Sequence, residues 1–461
     1  MLMKINNNFL SSVNEGKTIY IDVLCLESAY KLLSIDESDI SKIFYCQKTS
    51  FFPYWLLKHI EKKTKAKIEL FENVALADTY IDGVSAYEVM QDDIRELLNR
   101  QSDLWIEIEP VKKYIKKLNY NRFKIRAYLE QKAYVFLHRV IELVTLARAT
   151  SRDNYIVIAC NNPLSYLAKQ KTKENIFFYN NHLSRFLSTS ERATHHYDSH
   201  NNAVNKYSTL KTKLNIYKQF YYYLARTLLG WFSNLKLQDY DEIQVGSEQI
   251  SSIIRDDEPH DLFWMKSGKV NPESVWNIED VELDDKSKNV LKKYGVNRVR
   301  VNPSLSKLLS YLITPGKRNV RFVVPNFSFY VRYILNAFLL RNCFEKIKDK
   351  WISSELKLFL WREMYWRELY SNVGLKVIWS NRDIDPDSLC RAQAIESIGG
   401  YYTGTHWSLY PMNMVPVQKL YDIFFVWGSY FSEELITRNN FPLSLQVEVG
   451  YPSGHYFESH R

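Results

Sequence analysis

A chain of 461 residues with 46% hydrophobic content is long enough for two or three domains with sizeable cores, which excludes a low-complexity or peptide-like protein. Lys and Arg number 61 against 52 Asp and Glu; the resulting +9 is diluted over a large chain and implies a basic face, not a basic tail, compatible with anionic membranes, nucleotide phosphates or nucleic acid. The five cysteines show no CxxC spacing and read as reduced thiols of a cytoplasmic protein, and Met1 to Gly16 carries no apolar stretch of signal-peptide type.

From the amino end, Lys17 to Leu24 reads as a strand, Glu27 to Leu33 as a helix, Ile43 to Cys46 as a strand, Pro53 to Lys63 as a helix and Ala66 to Phe71 as a strand. Strand, helix, strand, helix, strand is the front half of a Rossmann-like parallel sheet. The turn after the first strand is Cys25-Leu-Glu27, without the GxGxxG glycines that admit a pyrophosphate, so a dinucleotide site is not expected there. Residues 84 to 150 read as a helical insertion. Strand character returns at Tyr155 to Ala159 and Asn175 to Tyr179, closing a first α/β region over residues 1–182.

Residues 183–240 form a polar linker followed by an aromatic, basic helix. His195, His196 and His200 fit a metal site or, with Asp198 alone beside them, a polar loop. The segment Leu214 to Leu235, preceded by Lys206, Lys211 and Lys213, has too many charges for a membrane span; it fits an interfacial helix on an anionic membrane or a core helix between domains. A second α/β region is expected over 241–461. It opens with Asp241 to Gly246, and its acidic turn Asp256-Asp-Glu258 fits either a divalent cation or a solvated cap. After a strand at Val320 to Val324, two amphipathic helices around Tyr330 to Lys348 and Ile352 to Ser371 lead to the strand Lys376 to Ser380.

Beyond it the order is a helix from Ser388 to Ile398, then strands at Tyr401 to Trp407, Asp422 to Gly428 and Gln446 to Pro452. Such βαβ crossovers imply a parallel sheet whose ligands bind outside the carboxyl ends of the strands. The polar residues that follow those ends include Asp383, Thr405, His406 and Ser408. His406 is a candidate general base because imidazole titrates near neutrality, and Asp383 is a second candidate, although Asp383 and Asp385 also fit caps for the next helix. Arg391 suits a phosphate or an acidic acceptor sugar, or an exposed surface position, and Trp407 and Tyr410 suit ring stacking or core packing.

The strings Ala394-Ile-Glu-Ser-Ile-Gly-Gly400, Tyr402-Thr-Gly-Thr-His406, Tyr421-Asp-Ile-Phe-Phe-Val-Trp-Gly428 and Val449-Gly-Tyr-Pro452 resemble the bacterial surface-polysaccharide (capsule or O-antigen) glycosyltransferases of GT-B architecture. Within that group they are similar to the end of the amino-terminal domain of Kdo-transferase-like and glycerophosphotransferase-like enzymes. The chain departs from the pattern at Gly404-Thr405-His406-Trp407, where the group has a Gln-His-Gly-like turn. The resemblance implies catalytic residues at His406 and Asp383, substrate contacts at Thr405, Trp407, Ser408 and Arg391, and no metal among the site residues. It also implies no permanently bound cofactor, a divalent metal being left open, with a nucleotide sugar as donor substrate and a glycan or lipid-linked acceptor; peripheral contact with an anionic membrane at the inner face of the plasma membrane is what the basic, aromatic stretch Lys206 to Trp231 suggests. In the group the Gly-Tyr-Pro exit leads into a second α/β domain. The sequence ends nine residues after Pro452, so the expectation is either a chain lacking that domain, with no donor turnover by itself, or a two-domain enzyme compressed into these residues. Two other classes stay open. A nucleic-acid binder would use Lys112 to Arg126 with Tyr114, Tyr120 and Phe123, though no RRM, KH or zinc pattern accompanies them, and a membrane-associated scaffold would use the aromatic helix alone.

Overall fold

The structure is a computed structural model that describes residues 16–35, 40–49, 52–71, 76, 79–151, 154–172, 175–180, 242–248, 254–255, 258–259, 270–279, 283–301, 321–323, 327–380, 386–405, 421–426, 428–429 and 445–449. It is α/β, with parallel sheets flanked by helices of a Rossmann-like kind, and divides into two compact units. The first takes Met1–Arg100 and Lys132–Asn201; the second takes Gln101–Gln131 and Asn202–Arg461.

In the first unit, β1 (Lys17–Leu24), α1 (Leu26–Leu33), β2 (Ile40–Lys48), α2 (Tyr54–Thr64) and β3 (Ile68–Leu70) follow the expected alternation. A short hairpin, β4 (Tyr80–Ile81) and β5 (Val84–Ser85), turns through Asp82 and Gly83, both at positive φ. The helical insertion is α3 (Ala86–Glu107), α4 (Glu109–Leu118) and α5 (Arg122–Ser151), after which β6 (Tyr155–Cys160), α6 (Ser165–Thr172) and β7 (Ile176–Tyr179) complete the sheet. The strands lie in the order β3-β2-β1-β6-β7, all parallel. Strand order reverses between β1 and β6, and the apolar run Ile19, Ile21, Ile43, Ile156 and Ile158 is buried there, as a sheet covered by helices requires.

The second unit contains β8 (Gln244–Ser247), the short pair β9 (Ile254–Arg255) and β10 (Glu258–Pro259), β11 (Val275–Glu279), α7 (Asp285–Lys293), β12 (Asn297–Val301) and β13 (Arg321–Val323). Then come α8 (Phe327–Leu339), α9 (Arg341–Lys346), α10 (Lys350–Val373), β14 (Leu375–Ser380), α11 (Pro386–Glu396), β15 (Tyr401–Thr405), β16 (Ile423–Val426) and β17 (Leu445–Glu448). Eight strands form one parallel sheet in the order β13-β12-β11-β8-β14-β15-β16-β17. The strands likened to the end of an amino-terminal domain are thus the second half of the second sheet, beginning at its point of reversal between β8 and β14.

The insertion is divided, where the sequence places all of residues 84–150 with the first region. Gln101–Gln131 belongs to the second unit because its aromatic side chains pack on α10: Trp105 lies 5.1 Å from Trp351, and the Tyr114 hydroxyl donates to the Leu356 carbonyl at 3.1 Å. Tyr120 and Tyr128 donate to the Glu363 and Glu355 carboxylates at 2.6 and 2.9 Å. The single amphipathic helix expected around Tyr330 to Lys348 is two helices, broken at Leu340.

Candidate functional site

In an open parallel sheet the crevice forms where the strand order reverses, because neighbouring crossovers leave in opposite directions there. In the second unit that point lies between β8 and β14. Gly246 lets them close up: a Cβ on it would lie 2.7 Å from Ile378 Cδ1 and 2.9 Å from Leu375 Cδ1. Beyond the strand, Glu248 is 3% exposed and its carboxylate is enclosed on three sides. Its Oε2 accepts from Ser380 Oγ at 2.7 Å and from the Tyr402 hydroxyl at 3.1 Å, and its Oε1 lies 2.8 Å from Arg391 Nη1. Burial, and then the Glu248 charge, hold the Tyr402 hydroxyl well above the usual tyrosine range, so it serves as a donor.

Arg391 extends the network. Its guanidinium stacks on Trp366 with Cζ 3.9 Å from the ring centre, and its Nε donates to Asp387 Oδ2 at 3.1 Å. Asp387 also accepts from Trp366 Nε1 at 3.1 Å and lies 3.3 Å from Arg362 Nη1. Carboxylate, guanidinium, carboxylate and guanidinium alternate from β8 through α11 to α10, which compensates each buried charge and fixes the carboxyl ends of β8, β14 and β15 relative to one another. The opposite face of β8 differs. Ser247 pairs in register with Asn277 of β11, both are fully buried, and neither Ser247 Oγ nor Asn277 Oδ1 has a hydrogen-bond partner among the described residues. Beside them Arg298 clamps Glu279 through Nε at 2.5 Å and Nη2 at 3.0 Å.

Of the residues proposed from the sequence, Asp383, His406, Trp407 and Ser408 lie outside the described residues, as do His195, His196, His200, Asp256, Asp257 and the helix Leu214 to Leu235. Two are described, and both are engaged internally. Thr405 ends β15 and its hydroxyl donates to the Phe425 carbonyl at 2.9 Å. Arg391, expected as a phosphate contact, is 2% exposed and held by Glu248, Asp387 and Trp366, so it positions the strand ends and presents no open face to a substrate. The chain leaves β14 into residues 381–385 and β15 into residues 406–420, so the Asp383 segment starts from the strand beside the reversal and the His406 segment from the next strand out.

The first unit has its own buried acid at the corresponding place. Asp22 of β1 accepts from Cys160 N at 2.7 Å on β6, from the Tyr179 hydroxyl at 2.8 Å on β7, and from Val23 N at 2.5 Å. The connection from β1 to α1 is the single residue Cys25, which caps the helix in a reciprocal pair with Ser28, leaving no loop to cradle a pyrophosphate. Burial raises the Asp22 pKa above its ordinary 3.8 despite those donors. Above the unfolded value the native state keeps a proton that the unfolded chain has lost, so this group's stabilisation is present at low pH and lost as pH rises through the folded value. Urea unfolding from pH 4 to 7 is therefore expected to show a falling component, up to about 1.4 kcal/mol per pH unit, that Asp22→Asn abolishes; an unchanged slope contradicts it.

A cavity of about 510 Å³ in the second unit is lined in part by Arg332, Asn336, Arg367 and Glu368, but Arg332 pairs with Glu368 and Arg367 with Glu363. Among the described residues no group of three His, Cys, Asp or Glu side chains is placed to hold a metal ion. None of the five cysteines forms a disulfide. The basic stretch considered for nucleic acid is also divided: Lys124 is buried against Asp422 and Glu396, Arg126 pairs with Asp103 and Glu130, and the Tyr114 and Tyr120 rings are interior, so they offer bases no stacking surface. The chain matches no family model, no curated protein and no solved structure.

Proposed function

We propose that the chain is a glycosyltransferase of the surface-polysaccharide kind, moving a sugar from a nucleotide-activated donor to a glycan or lipid-linked acceptor at the cytoplasmic face of the membrane. The observation that carries the reading is the presence of two Rossmann-like parallel-sheet units in one chain, each with its strand order reversing beside its first strand. Two such units are what a GT-B-like transferase requires, one for the donor and one for the acceptor. Neither first strand is followed by a glycine-rich turn: the sequences there are Cys25-Leu-Glu27 and Glu248-Gln-Ile-Ser251, which argues against dinucleotide redox chemistry.

His406 is the residue to which this reading gives the acceptor's proton, with Asp383 as the second candidate. Trp407 and Ser408 would meet the sugar, and the nucleotide sugar is substrate, with no resident cofactor. A non-catalytic scaffold is the second reading; what favours it is that Arg391 and Thr405 are both spent on internal partners. Nucleotide-sugar consumption by the purified chain, with His406→Ala as control, separates the two.

A further inference from the structure

We infer that α8 docks the second unit on an anionic membrane surface. The helix packs on α10 through Phe329 and Tyr333, whose rings lie 5.0 and 4.8 Å from that of Trp361. Its opposite side carries Val331, Ile334, Leu335, Phe338 and Leu339, each between 38% and 70% exposed. These positions follow the three-and-four spacing of one helical face, so the helix is apolar on its outer side as well as its inner one. Five large apolar side chains on one exposed stripe are not an ordinary solvated surface. At 13 residues, about 20 Å, α8 is too short to cross a bilayer and suited to lying in its plane. No helix among the described residues is long and apolar enough to span.

Charge identifies the partner. At the carboxyl end of the stripe, Lys117 of α4 donates to the Leu339 carbonyl at 3.3 Å, and α4 and α9 meet through Tyr114 and Phe344, 5.7 Å apart. Exposed Lys116, Lys117, Lys346, Lys348 and Lys350 have no carboxylate partner among the described residues, whereas Arg341 is neutralised by Glu345 and Lys112 by Glu107. An apolar stripe bordered by lysines matches acyl chains beneath anionic headgroups. A second copy of the chain fits worse, because a symmetric contact sets those lysines against their own equivalents. The docking does not rest on the transferase reading, nor on the segment Lys206 to Trp231 from which the sequence suggests membrane contact.

The test is flotation of the full chain with phosphatidylcholine vesicles containing or lacking phosphatidylglycerol, comparing wild type with Ile334→Ser/Phe338→Ser and with Lys116→Glu/Lys117→Glu. All four side chains are exposed, so both variants are expected to keep the wild-type melting temperature. Wild type is expected to float only with phosphatidylglycerol, and each variant to lose at least about tenfold in the bound fraction. Binding indifferent to lipid charge, or unchanged in folded variants, overturns the inference. So does a wild-type dimer that Ile334→Ser/Phe338→Ser converts to monomer, which would give the stripe to a second copy.

Discussion

Arg391→Ala is expected to lower the stability of the second unit by about 3–5 kcal/mol, because it leaves the Glu248 carboxylate buried with only two hydroxyl donors. Coulomb attraction inside a protein offsets desolvation only while both partners are present, and the Trp366 stacking is lost with the guanidinium. The double variant Glu248→Gln/Arg391→Met removes both charges and keeps most of the volume, so it is expected to recover at least half of the loss. Chemical unfolding of wild type, Glu248→Gln, Arg391→Met and the double variant gives the coupling directly. A loss below about 1 kcal/mol for Arg391→Ala, a size ordinary for surface substitutions, would show that the pair does not hold the strand ends together.

On the transferase proposal, His406→Ala is expected to lower the transfer rate by about 10² to 10⁴, some 3 to 5 kcal/mol of barrier, as removal of a general base does. Asp383→Asn is expected to cost less. On that reading a carboxylate three residues ahead of the helix Pro386–Glu396 is the weaker base of the two, since a helix N-terminus favours the charged form of an acid. Rates compared at matched folding decide it. His406→Ala within about threefold of wild type would make the histidine a structural residue and void the catalytic assignment.

Most strands were legible because parallel sheets covered on both faces need continuous apolar runs, and Tyr155-Ile-Val-Ile-Ala159 or Ile423-Phe-Phe-Val426 can bury little else. The strands β11 and β12 were not legible. Asn277, Glu279, Arg298 and Arg300 interrupt their patterns, and those charges become tolerable only when Glu279 meets Arg298 across the sheet. Glu248 was missed for the same reason. Nothing local marks it apart from following a strand, and its partner Arg391 is far away in sequence. The reverse error concerned Arg391 itself, whose place in the first turns of a helix after a strand suits a ligand contact until the interior carboxylates come into view. Tyr114 and Tyr120 likewise read as an aromatic surface beside lysines, whereas the spacing that places them on one side of the α4 region serves packing on α10.

The central claim is donor chemistry in one chain holding two parallel-sheet units. Release of nucleotide from a panel of uridine, cytidine and guanosine diphosphate or monophosphate sugars, followed over hours with the purified 461-residue chain, tests it most directly. The account predicts that one nucleotide class is consumed, faster with an acceptor glycan than with water, and that His406→Ala abolishes the acceptor-dependent part. Consumption no greater than that of His406→Ala across the whole panel, by protein shown to be folded, would contradict it and leave the scaffold reading in its place.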